Sequence, residues 1–216
     1  MSVYEEGKRG DHKGIWSCPY SPIGWGKVRG AFGPLQHLTI VSKEDRLSDA
    51  EIDYLVGQYR WMRKSLGVPS GGKEAKRFLF IAPIFICIVG HFADLGERVE
   101  LLIEEDVNGR RVKVNGHFEF VIKRGDKRIC IVEAKKDDME QGLAQDLLGL
   151  EVLADIDGLE TVIGVVTNLH EWIFVKSCVE HVEVRHWNLV LGEDEIPTRT
   201  ALSQVTTYLI SLLSAD

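Results

Sequence analysis

The run Ile129-Cys-Ile-Val-Glu-Ala-Lys135 constrains the fold more than any other stretch of the chain. Alternate residues of a strand point to opposite faces. Glu133 and Lys135 therefore share a face with Ile129 and Ile131, while Cys130, Val132 and Ala134 take the other. Both faces stay apolar until the strand ends, which is the pattern of a central strand covered on both sides. A carboxylate there is costly unless it is paired or holds a metal ion. An acid and a lysine at the mouth of a buried strand need partners, and the neighbouring sequence offers them.

The surrounding stretch, Asn115 to Gln145, reads as two paired strands followed at once by a helix. The first strand carries Glu119, the second Glu133 and Lys135, and the helix Gln141 and Gln145. Upstream, Arg98–Asp106 reads as a strand, Asn108-Gly109 as a tight turn, and Arg111–Val114 as the start of the next strand, continuing through Phe118–Lys123. With Arg128–Lys135 these form an antiparallel meander. The helix Asp138–Ala154 places Met139, Leu143, Leu147, Leu150 and Ala154 on one inward stripe, with Gln141 and Gln145 one turn apart beside it. Strands at Thr161–Thr167, Trp172–Lys176 and His181–Trp187 follow, then an amphipathic helix Thr200–Leu213.

Before this core, Ser48 and Glu51 form an S-x-x-E capping box that opens a helix. Its apolar stripe is Ile52, Leu55, Val56, Tyr59 and Met62, and Gly67 and Pro69 stop it. After Gly71-Gly72, a helix from about Lys73 to His91 is expected, with a kink or break at Pro83 and a strand as the alternative. Glu74 lies in its polar first turn, where it either favours the helix dipole or reaches a site. Residues 1–46 read as an irregular arm. In it Trp16 and Trp25 are candidates for base stacking, although such residues more often pin an arm to a core. A short strand is expected at His37–Val41. Residues 47–216 read as one domain.

With 216 residues and a net charge of −7, the chain is long enough for a sizeable core and is no broad polyanion binder. The charge is uneven. Between Val107 and Lys136 there are nine Lys/Arg and three acids, a balance of +6, whereas Asp137 to Glu160 holds eight acids and no base. The basic hairpin is either a phosphate-facing surface or a solvated loop face. The four cysteines lack ligand spacing and suit a reducing compartment. No signal peptide is visible, and the apolar run Phe78 to Val89 is too short to span a bilayer. A soluble protein of the cytoplasm or nucleus, with no membrane partner, is expected.

The order of acids resembles the PD-(D/E)XK nuclease superfamily. Glu119 matches its strand acid, with Glu where Asp is commoner, and Glu133-Ala134-Lys135 its E-x-K element. Gly164-Val-Val-Thr-Asn-Leu-His-Glu-Trp172 is similar to the G-x-x-T-[DN]-x-x-x-W hairpin of restriction-enzyme-like and Crinkler-type (CRN effector) members. Glu74-Ala-Lys-Arg77…Ile81-Ala-Pro83-Ile84 resembles the helix that carries the first acid. The resemblance covers about residues 72–176. It implies an α/β, restriction-endonuclease-like mixed sheet, an antiparallel meander plus central strands flanked by helices. It also implies hydrolysis of DNA or RNA phosphodiesters with Mg²⁺ or Mn²⁺. Glu119, Glu133 and Glu74 would then hold the metal. Lys135 would serve the attacking water or the phosphate, and Gln145 or Gln141 would position either. Asp94, Glu104 and Glu105 are spare acids for Glu74, and His117 is either an extra ligand or a core or rim histidine. A catalytically silent member of the same fold, binding nucleic acid or a protein partner, is the alternative.

Overall fold

The computed structural model describes residues 25–32, 34–40, 45–69, 74–108, 115–135 and 138–214. Arg111–Val114, Trp16 and the end of the strand expected at His37–Val41 lie outside them. Seven strands form one mixed sheet: β1 (Gln36–His37), β2 (Val99–Asn108), β3 (Asn115–Arg124), β4 (Lys127–Ala134), β5 (Thr161–Thr167), β6 (Glu171–Cys178) and β7 (Val182–Asn188). Their spatial order is β1-β7-β6-β5-β4-β3-β2. The meander β2-β3-β4 is antiparallel as expected, β4 and β5 run parallel, and β5-β6-β7 form a second antiparallel meander. A parallel pair needs a crossover, and α4 (Met139–Asp157) supplies it.

Two cores follow from this layering. On one face lie α2 (Asp49–Leu66), α3 (Glu74–Asp94) and α5 (Arg199–Leu213), with Cys130, Val132, Ala134, Val165 and Phe174 pointing toward them. On the other lies α4, against Ile131, Val162, Val166, Ile173 and Val175, with α1 (Trp25–Phe32) packed on it. β4 and β5 are thus covered on both sides, which accounts for their unbroken apolar runs. The region read as an irregular arm contributes α1, whose Val28 is fully buried, and β1, which adds in parallel to the edge strand β7.

Local chemistry explains the boundaries. The Ser48–Glu51 capping box forms, and Gly67 ends α2 with φ 78°, a value most side chains avoid. Gly125, at φ 59°, turns β3 into β4. Pro83 lies inside α3, which runs on to Asp94 as a helix of 21 residues. By length and composition its segment Ala75–Asp94 would suffice to cross a membrane, beyond the shorter run read from the sequence. In the fold its Phe80, Ile84, Phe85, Ile88 and Phe92 are buried in the core beneath the sheet.

One strand face differs from simple alternation. The β3–β4 ladder steps from Ile122↔Cys130 to Lys123↔Arg128, leaving Ile129 as an extra residue. Such a bulge reverses side-chain direction on either side of it. Ile129 consequently packs with Cys130 in the α3 core and not with Ile131 and Glu133.

α4 approaches the sheet closely because it presents glycine to it. A Cβ on Gly149 would lie 2.5 Å from a Phe118 ring carbon and 2.6 Å from Ile131 Cδ1, and one on Gly142 would lie 2.6 Å from Val166 Cγ1. Gly90, exposed on α3, has nothing within 4 Å of such a position. Alanine at the two places should therefore have opposite effects. Gly149→Ala is expected to destabilise by about 1–3 kcal/mol through overpacking, and Gly90→Ala to stabilise by up to about 1 kcal/mol through helix propensity. Urea unfolding of the two variants measures both.

Candidate active site

The paired backbone of β3 and β4 stops at Phe120↔Val132. Beyond it the Ala134 N–H donates to Glu119 Oε2 at 3.3 Å, so a side chain replaces the next backbone partner. This brings the carboxylate of Glu119 beside the residue that follows Glu133. Glu133 is 1 % exposed, and Lys135 Nζ lies 3.1 Å from its Oε2. Burying one charge would cost several kcal/mol, and the opposite charge offsets most of it. The Lys135 backbone N–H donates to Thr167 O at 2.8 Å, which ties the end of β4 to the end of β5. Glu133 and Lys135 thus pair where β4 ends, and the Glu119 carboxylate reaches the backbone between them.

α4 covers this corner. Asp138 caps it by accepting from the Gln141 N–H at 2.8 Å. Gln141 is half-buried, while Gln145 is buried and its Oε1 has no hydrogen-bond partner among the described residues. An unpaired buried amide oxygen carries a desolvation cost of roughly 1–3 kcal/mol, so it is available to a water, an ion or a substrate group.

The next residue, Asp146, was not singled out by the sequence reading. It is fully buried, and neither carboxylate oxygen meets a partner of good hydrogen-bond geometry among the described residues. Gly164 makes room for it: a Cβ there would sit 1.9 Å from Asp146 Oδ2. Burial, and then the negative charge of Glu133, push the Asp146 pKa well above the usual carboxylate range, and the Val165 backbone N–H opposes this only in part. On β4, facing away from Glu133, burial and the Asp146 charge push the Cys130 thiol up as well, so Cys130 is an unreactive core residue.

The other acids separate. The side chain of Glu74, at the first residue of α3, and that of His117 lie outside the described residues. The start of α3 is nevertheless set on β3, because Phe78 stacks on Phe120, next to Glu119, at 4.3 Å. Asp94 is exposed at the far end of α3, Glu104 is exposed with φ 52°, and Glu105 is engaged by Arg128 at 3.4 Å. None of these three joins Glu119 and Glu133. Among the described residues no three His, Cys, Asp or Glu side chains form a metal-binding group.

The hairpin after β5 is held from within. Thr167 Oγ1 donates to Glu171 O at 2.9 Å and accepts from the Leu169 N–H. Asn168 Oδ1 accepts from the backbone N–H groups of His170 and Glu171, and Trp172 Nε1 donates to Leu169 O at 2.8 Å. Gly164, Thr167, Asn168 and Trp172 thus have structural work: room for Asp146, a tie to Lys135, a turn and a buried anchor.

No protein-family profile matches the chain. Over 168 residues it is 44 % identical to Crinkler effector protein 5 of Phytophthora infestans, across 78 % of this chain and 47 % of that protein. The relationship is Crinkler-like. The chain spans about half the length of this curated relative.

Asp146 has a measurable signature. A carboxyl whose pKa is raised by folding binds its proton more tightly in the native than in the unfolded state. Its contribution to stability is thus present at low pH and lost as pH rises above the unfolded value of about 4. Asp146→Asn should fold and should flatten the fall of Tm with rising pH relative to wild type, measured by thermal unfolding from acid to neutral pH.

Proposed function

We propose that this chain is a restriction-endonuclease-like module that hydrolyses phosphodiester bonds of DNA or RNA with Mg²⁺ or Mn²⁺. One observation carries the reading. A buried carboxylate (Glu133), a lysine (Lys135) and a second carboxylate on the adjacent strand (Glu119) meet at the open end of a central strand. In this reading two carboxylates, with the Gln145 oxygen that has no partner among the described residues, would make an all-oxygen donor set. A hard divalent cation that keeps several waters asks for no more from the protein. Glu74, on the helix set against β3, is the further donor that the family resemblance implies.

In this reading Glu119 and Glu133 hold the cation, which supplies Lewis acidity toward the phosphate and the attacking water. Lys135 places its ammonium toward the scissile phosphate, where negative charge grows in the transition state. The buried setting strengthens that interaction. Gln145 orients the water or a phosphate oxygen through its amide, and Gln141, one turn earlier, lies beside the backbone path. The relative's name, an effector protein, supports an effector-type role, and the cytoplasm or nucleus is the compartment proposed for it. A second reading is a silent member of the same fold that binds nucleic acid or protein. It draws support from the ion pair that already engages Lys135 with Glu133.

The test is cleavage of mixed DNA and RNA substrates with added Mg²⁺ or Mn²⁺. Wild type should cut one of them, and Lys135→Ala and Glu133→Gln should each lose about 10²-fold or more in rate, the scale set by removing a charge-stabilising group. Wild-type protein that is inert, with no heat of cation binding in calorimetry, leaves the silent binding module.

A further inference from the structure

A cavity of about 260 Å³ lies on the far side of α4 from Gln141 and Gln145, at the same end of the sheet as Lys135. β6 and β7 form its floor. In their register Glu171 faces Asn188 and Ile173 faces His186, and these four project toward α4. Trp172 and Trp187 alternate to the opposite face, where Trp172 lies near Phe174 and Trp187 meets Tyr208. The roof is Met139, Glu140 and Leu143 of α4, and the outer wall is Trp25 and Leu35. The bottom is apolar, since Ile173 and Leu143 are buried, and the rim is polar, since Glu140, Glu171, His186 and Asn188 are exposed.

The cavity falls below the usual range of about 300–1,000 Å³ for sites that enclose a drug-sized ligand. An indole beside an apolar floor suits a flat ring by stacking. The rim carries two carboxylates, which only accept hydrogen bonds when ionised. That rim repels phosphate and favours a flat group whose edge donates hydrogen bonds. Among the bases, guanine presents an N–H and an amino group side by side on its pairing edge, the match for a carboxylate's two oxygens. The Lys135–Thr167 and Thr167↔Trp172 pairings connect β4 through β5 to β6. Two strand spacings place the floor roughly 10 Å from β4, a span that a short single strand bridges.

We propose that this cavity receives an unpaired guanine base of the strand whose phosphodiester lies at Glu133 and Lys135. The proposal rests on the nucleic-acid reading above and adds to it a base preference and a single-stranded or unstacked substrate. Base entry leaves the acidic rim to the ring edge and the backbone to the lysine side of α4.

Binding of guanosine, adenosine, cytidine and uridine to the full chain, followed by tryptophan fluorescence and by calorimetry, tests it apart from catalysis. Guanosine should bind at least tenfold more tightly than the other three. Glu140→Gln and Glu171→Gln, both at exposed positions where folding is safe, should each reduce that preference tenfold or more. Trp25→Ala should weaken all binding. Equal binding of all nucleosides, absence of binding, or a preference untouched by both glutamate variants overturns the proposal. So does an arginine-containing peptide that binds through the same glutamates more tightly than guanosine. If guanosine binds as stated while no oligonucleotide is cut, the nuclease reading fails and the base pocket stands. If oligonucleotides are cut with no guanosine binding, the reverse holds.

Discussion

The distance between α4 and the sheet governs much of this structure. Gly142 and Gly149 on the helix and Gly164 on β5 remove the side chains that would hold the two layers apart. With the layers close, Gln145 and Asp146 are pressed into the interior, Asp146 within the field of Glu133, and the first turn of α4 lies against Lys135 at Gly142. A helix standing further off would leave these groups in water, where a carboxylate has an ordinary pKa and a lysine is a weak electrostatic partner. Three hydrogen atoms in place of methyl groups thus set the dielectric of the site.

The central strands were legible because burial on both faces leaves a plain trace: apolar runs ending in Glu133-Ala-Lys135 and in Thr167. The capping box of α2 and its stop at Gly67 were legible for a simpler reason, since each depends on a few adjacent residues. What depends on layers meeting was not. Asp146 sits in a stretch of eight acids and no base, and only its apposition to Gly164 marks it as buried. The bulge at Ile129 depends on how β3 pairs with β4, which no local pattern records. Helix α1 is short and gains its structure from α4, whereas strand β1, expected at His37–Val41 and found at Gln36–His37, pairs with β7.

The likeness to an effector protein and the geometry bear on different questions. Identity of 44 % over 168 residues relates this chain to about half of a longer protein, whose name states a role without a chemistry. Away from the corner where β4 ends, Asp94 is exposed at the C-terminal end of α3, Glu104 is exposed within β2 at φ 52°, and Glu105 pairs with Arg128.

Glu119 is a methylene longer than the aspartate commoner in the family it resembles, and the fork between β3 and β4 gives that length a purpose. Its carboxylate crosses the gap and takes the Ala134 N–H, acting as the last rung of a ladder whose own rungs have run out. The same group thus sets how wide the fork stands. Shape and chemistry at that position are one variable, and a change of side-chain length there tunes them together.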